Sequence, residues 1–157
     1  MARTSTVVDS FTMRYVTEFE TVVRGHHVYK TIWAAVTGEV LYTRPDDRVE
    51  ATNYDPYAIG VYKEEACLTL VGHVPVEISH ILHHFLGAQP SNRVMVTITG
   101  KRKREVGLVV PAKYRLYTSE RKTDKILNTA LLSIQKSYTT LELKYTGIKI
   151  HFTVPIF

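Results

Sequence analysis

The apolar residues of this chain recur mostly at a spacing of two, in short runs cut by Gly, Pro, Asn and Asp. Val94, Val96 and Ile98 alternate with Met95, Thr97 and Thr99, the pattern of a half-buried strand. Further strands are expected within 11–23, over 39–43, 58–62, 67–71, 106–110 and 114–117, and in a terminal hairpin of 141–145 with 149–154. Pro111 is expected to separate the segments on either side of it, because proline brings no ladder donor. Only two segments switch to the three-and-four spacing of an amphipathic helix. The first is 75–86, with Ile78, Ile81, Leu82, Phe85 and Leu86 on one face, Pro75 in its first turn and Gly87 at its end. The second is 124–135, with Ile126, Leu127, Ala130, Leu131 and Ile134 on one face. About eight short strands and two helices leave fewer exposed edges as a small closed or partly open β-barrel than as an open sheet. The expected class is therefore mainly β (α+β).

A chain of 157 residues, 45% hydrophobic, suits one domain with a real core. No apolar run approaches the ~20 residues of a membrane helix, so no membrane partner is expected. Residues 1–10 read as a loose leader and not as a signal peptide. The single cysteine, Cys67, permits no internal disulfide and fits a reducing, intracellular compartment. Its neighbours Ala66 and Leu68 mark it as a small buried hydrophobe.

Chemistry of the catalytic kind is missing from the pattern. There is no Gly-rich phosphate loop, no nucleophile elbow and no pair of acids at a tuned spacing. The expectation is a protein that is not an enzyme and takes no cofactor. Asp46 and Asp47 fall in Arg44-Pro45-Asp46-Asp47-Arg48, which reads as a solvated loop. His80 and His84 stand four apart with His83 between them, a spacing that zinc sites use. No Glu follows His80 and no Cys pair stands near, so a surface histidine cluster without metal is the expectation.

Two fragments carry the functional reading. Thr52-Asn53-Tyr54-Asp55-Pro56-Tyr57 is turn chemistry that leads into Ala58-Ile59-Gly60-Val61-Tyr62, an apolar strand. Val71-Gly72-His73-Val74-Pro75 has a similar build, a strand end followed by a polar ring and a proline. A rigid sheet can aim such strand-mouth residues at a partner. The net charge of +5 permits an anionic partner, and much of it sits in Lys101-Arg102-Lys103-Arg104 and in 113–125. The run at 101–104 is expected in an exposed turn, as a solvated hairpin, a phosphate-contacting edge or a nuclear-import signal. Tyr29 and Tyr57 are candidates for stacking a base, worth ~1–3 kcal/mol each.

Taken in order, seven fragments resemble the HIRAN domain, a small β-barrel module found alone and fused to fork-remodelling DNA translocases. They are Arg24-Gly25-His26-His27, Gly38-Glu39, Glu50-Ala51-Thr52-Asn53, Tyr54-Asp55-Pro56-Tyr57-Ala58-Ile59, Val71-Gly72-His73-Val74-Pro75, Thr97-Ile98-Thr99-Gly100 and Gly107-Leu108-Val109-Val110-Pro111. The match spans about 20–118, with 1–19 as leader and first strand and 119–157 as a helix and hairpin packed on the barrel. The resemblance implies an OB/SH3-like barrel with two helices and capture of the 3′ end of single-stranded DNA. It implies that Tyr54 supports the terminal backbone and sugar, that Asp55 accepts a hydrogen bond from the free 3′ hydroxyl, and that His73 lies near the phosphates. A carboxylate rewards a hydroxyl and repels a phosphate, so it tells a chain end from its interior. A nuclear site and a role in DNA repair are implied with it.

The chain also departs from the family pattern. Where the incoming strand often carries Arg-Tyr, this sequence has His27-Val28, which leaves the stacking platform to His27 or Tyr29. The Asn usual two before the Tyr is Thr52, with Asn53 displaced by one, and the basic residue usual after Gly-His-x-Pro is Val76. Phosphate contacts dominate affinity for nucleic acid, so their loss favours weaker binding. The alternative expectation is a protein-interaction or assembly module that keeps the barrel without DNA-end binding.

Overall fold

The computed structural model describes residues 15–25, 33–105, 107–137, 149–150 and 154–155. Its strands are β1 (Tyr15–Arg24), β2 (Val40–Pro45), β3 (Ile59–Tyr62), β4 (Leu70–His73), β5 (Arg93–Ile98), β6 (Lys103–Glu105), β7 (Gly107–Thr118), β8 (Lys149–Ile150) and β9 (Val154–Pro155). Its helices are α1 (Val49–Thr52), α2 (Val76–Ala88) and α3 (Arg121–Ser137). Six antiparallel strands close in the order β7-β5-β2-β3-β4-β1, with β1 returning to β7. The expected mainly-β barrel is thus the fold, with α1 as an extra turn of helix. β6 adds a short edge to β7, and β8 and β9 pair with β1.

Pairing explains the closure. Stepping across paired residues from Val109 leads to Arg24, His73, Gly60 and Arg44. The β2–β5 register, with Tyr42 opposite Met95, carries the path to Arg93, which faces Tyr117. The return to β7 lies eight residues beyond the start (117 against 109), and this stagger gives a closed barrel its strand tilt. Alternation then sends Phe19, Val23, Leu41, Ile59, Val61, Val94, Val96, Ile98, Tyr114 and Leu116 inward. Ile78, Ile81, Leu82 and Phe85 of α2 join the same core, as do Leu127 and Leu131 of α3. Each fully buried aliphatic side chain contributes about 1.5–3 kcal/mol relative to exposure.

The separation expected at Pro111 does not occur, because β7 is one strand of 12 residues that runs through it. Pro111 lies opposite Val22, and its own carbonyl accepts the Thr99 amide. The Val22 carbonyl accepts the buried Tyr114 hydroxyl at 2.7 Å. A side chain thus bonds the carbonyl of the residue facing the proline, which has no N–H of its own. Burial pushes the Tyr114 hydroxyl far above its usual pKa, so it stays a neutral donor. Tyr114→Phe is expected to cost about 1–2 kcal/mol in urea unfolding, the cost of a buried acceptor left unpaired; unchanged stability would show that the bond contributes nothing.

Helix ends also differ from expectation. Pro75 is the N-cap of α2, and Gly87 lies inside the helix, which ends at Gln89. Asn92 donates to the Phe85 carbonyl at 2.9 Å, so a side chain from beyond the helix meets one of its last acceptors. In α3, Leu127 and Leu131 are buried but Ile126 is 61% exposed, so the apolar face is wider than the surface that covers it. Residues 141–145 lie outside the described residues, while Lys149–Ile150 and Val154–Pro155 each pair with β1. Among the described residues no helix is long and apolar enough to cross a membrane.

Candidate functional site

The two fragments singled out in the sequence meet at one rim of the barrel. The Asp46 amide donates to the Ala58 carbonyl at 2.8 Å, which joins the end of β2 to the start of β3. The Val74 amide donates to the Ile59 carbonyl at 3.0 Å, which brings in the end of β4. His73 stands opposite both Gly60 and Arg24. At this rim β3 is entered from α1, whose last turn continues through Asn53, Tyr54 and Asp55 by amide bonds back to Val49 and Ala51.

Tyr54 is 88% exposed, and Asn53 beside it is exposed as well. Asp55 is buried. Its Oδ1 accepts the Tyr57 amide at 2.9 Å, an Asx turn, and its Oδ2 accepts the Ser79 hydroxyl at 2.6 Å. The carboxylate therefore ties the 54–57 loop to α2. Tyr57 is half-exposed on the outer side of that tie.

His73 is organised by a residue that the sequence placed in solvent. Asp46 is 3% exposed, which corrects the reading of 44–48 as a solvated loop. Arg44 and Pro45 complete β2, and the loop is exposed only from Asp47 onward. Asp46 accepts two hydrogen bonds from the Arg48 guanidinium, both at 2.8 Å, and lies 2.7 Å from His73 Nε2. The Arg48 bonds, with help from His73, hold this carboxyl far below the usual carboxylate range. An ionised carboxylate only accepts, so His73 Nε2 carries the proton in this contact.

Next to His73, Arg24 Nη2 reaches Glu77 Oε1 at 3.5 Å, a partly buried pair at the first turn of α2. Arg24 Nε and Glu77 Oε2 have no hydrogen-bond partner among the described residues. Around the rim, Arg24, Arg44 and Arg48 share this end of the barrel with Asp46, Asp47, Glu50, Asp55 and Glu77, so the described rim carries no excess of positive charge.

The basic run lies off this rim, with Lys103 two pairings from Arg24 through Val109. The Ile98 amide bonds the Glu39 carbonyl, so β5 ends beside the start of β2, at the opposite end of β2 from Asp46. Lys101, Arg102 and Lys103 are exposed just beyond, and Lys103 and Arg104 belong to the short edge strand β6. His27 and Tyr29 lie outside the described residues. The structure therefore gathers Asn53, Tyr54, Asp55, Tyr57 and His73 at one rim and sets Lys101, Arg102, Lys103 and Arg104 beyond the far end of β2.

Sequence reasoning missed Asp46, Arg48 and Ser79. A signal existed for Asp46, since an arginine two residues on can fold back on it. None existed for Ser79, whose partner Asp55 is 24 residues away. Among the described residues no group of three or more His, Cys, Asp or Glu is placed to hold a metal ion. Comparison of the chain with protein-family models, with curated proteins and with solved structures finds no match.

Proposed function

We propose that this protein is a non-catalytic module that captures single-stranded DNA at the rim, by its free 3′ end. The observation that carries this reading is an exposed ring, Tyr54, set directly beside a carboxylate, Asp55, that is fixed from two sides. An ionised carboxylate offers about four acceptor positions, and two are in use here, so a terminal hydroxyl is a suitable third partner. A phosphate at the same place meets repulsion. His73, partly exposed on the next strand and fixed by Asp46, lies beside the adjoining backbone in this reading. With more carboxylates than arginines along the described rim, affinity rests on stacking and the terminal hydroxyl more than on counterion release. The exposed Lys101–Lys103 segment is the part of the chain that serves nuclear import in this reading.

The test is fluorescence anisotropy with a 5′-labelled oligothymidine ending in a 3′ hydroxyl or a 3′ phosphate. The expected result is at least tenfold tighter binding of the hydroxyl form, lost in Asp55→Asn, with Lys103→Ala weakening both forms alike. Equal binding of the two ends would falsify end recognition. A second reading, a protein-interaction module on the same barrel, is favoured by the rim's lack of excess positive charge and by the existing partners of both Asp55 oxygens. It is the reading left if neither oligonucleotide binds.

A further inference from the structure

We propose that Tyr57, His80, His83 and His84 form a stacking shelf for the nucleobases that precede the strand terminus, extending the rim site along α2. The inference rests on the single-strand reading above. Three imidazoles surround one phenol ring, with centroids 5.4 Å from Tyr57 for His80, 5.6 Å for His83 and 5.8 Å for His84. His80 and His84, one turn apart, meet edge to face at 5.1 Å. The cluster is not core, since Ile78, Ile81, Leu82 and Phe85 take the buried face of α2 while His80 and His84 are exposed and His83 and Tyr57 are partly so.

The shelf and the proposed terminus site are one unit. The Tyr57 amide is held by Asp55 Oδ1, and Asp55 Oδ2 is held by Ser79, the residue before His80. A strand whose last hydroxyl meets Asp55 therefore has its next bases within reach of these rings. Flat rings with π faces accept any base.

The titratable groups facing the shelf are few. Asp55 bonds the Tyr57 amide and the Ser79 hydroxyl, so both its oxygens already have partners. Glu77, one turn earlier on α2, pairs with Arg24. Across a cleft of about 350 Å³ beside His80 and His84, α3 presents Thr123, Ile126, Leu127 and Ala130, none of them charged.

The experiment compares a two-nucleotide and a six-nucleotide oligothymidine, both with free 3′ hydroxyls, at one pH. The full chain and a His80→Asn/His83→Asn/His84→Asn variant are used, with circular dichroism as the check on folding. The intact protein is expected to bind the longer strand about tenfold tighter than the shorter. The variant is expected to lose this gain while binding the dinucleotide unchanged. Equal affinity for the two lengths overturns the shelf, as does a variant that binds the longer strand like the intact protein. If a 3′-hydroxyl preference persists in either case, only the shelf falls; if no oligonucleotide binds, the end-capture reading falls with it.

Discussion

Asp46→Ala is expected to lower stability by about 2–3 kcal/mol at pH 7 and to release His73. Asp46 is enclosed, and it is the shared acceptor of the Arg48 guanidinium and of His73. Removing the carboxylate leaves two donors without their anion, the situation that makes broken buried pairs costly. The figure falls below the ~3–5 kcal/mol of a fully buried pair because Arg48 is 46% exposed and water screens its share. The same contact predicts acid sensitivity. The folded pKa of Asp46 is depressed, first by the Arg48 hydrogen bonds, while in the unfolded chain it returns to about 4. Its stabilisation is therefore complete above about pH 4 and declines as the pH falls below that value. Urea unfolding at pH 7 and pH 3 measures both parts. A loss at pH 7 that shrinks at pH 3 supports the role, whereas a variant as stable as the parent at pH 7 refutes it.

Gly72→Ala is expected to cost about 3 kcal/mol and to loosen the rim. A Cβ at this position would stand 2.6 Å from the Arg24 carbonyl oxygen and 2.6 Å from Val23 Cγ1. One of these is backbone, so relief means moving β4 away from β1. The seam there is a single register pair, Arg24 with His73, and that pair sits on the path that closes the barrel. Overpacking of this kind costs ~1–3 kcal/mol, and the upper end applies where a strand must shift. Gly87→Ala is the control. That glycine lies inside α2 with nothing within 4 Å of an added Cβ, so alanine should stabilise by about 0.5–1 kcal/mol. Thermal unfolding of the two variants should move in opposite directions; a drop in both would show that the seam is not the cause.

The barrel was legible because its signals are local. A strand that buries one face must alternate, and a helix that buries one face must repeat at three and four. Val94, Val96 and Ile98 obey the first rule, and Ile78, Ile81, Leu82 and Phe85 the second, and all seven are buried. Punctuation was less reliable wherever a distant group supplied a partner. Pro111 does not break β7 because Tyr114 bonds the carbonyl of the residue opposite it. Gly87 does not end α2, which continues to Ala88 with Asn92 bonding the Phe85 carbonyl.

The candidate site divides along the same line. Tyr54 and Asp55 stand out in a turn-rich fragment, and His73 stands out between Gly72 and the Val74-Pro75 pair. Their supports are not local. Ser79 fixes Asp55 across 24 positions, and Asp46 fixes His73 across 27. Asp46 looked like any loop aspartate because a composition of Arg, Pro and Asp says nothing about the groups that will close over it. By itself the sequence determined most of the strands, the two long helices and the two fragments at strand mouths, since each depends on neighbours a few residues apart. Only the tertiary structure decided that the fragments share one rim, that Asp46 and Asp55 are enclosed there and that the basic run lies beyond the far end of β2. The reason is that the register around a closed barrel is set by every strand at once, and no window of sequence contains it.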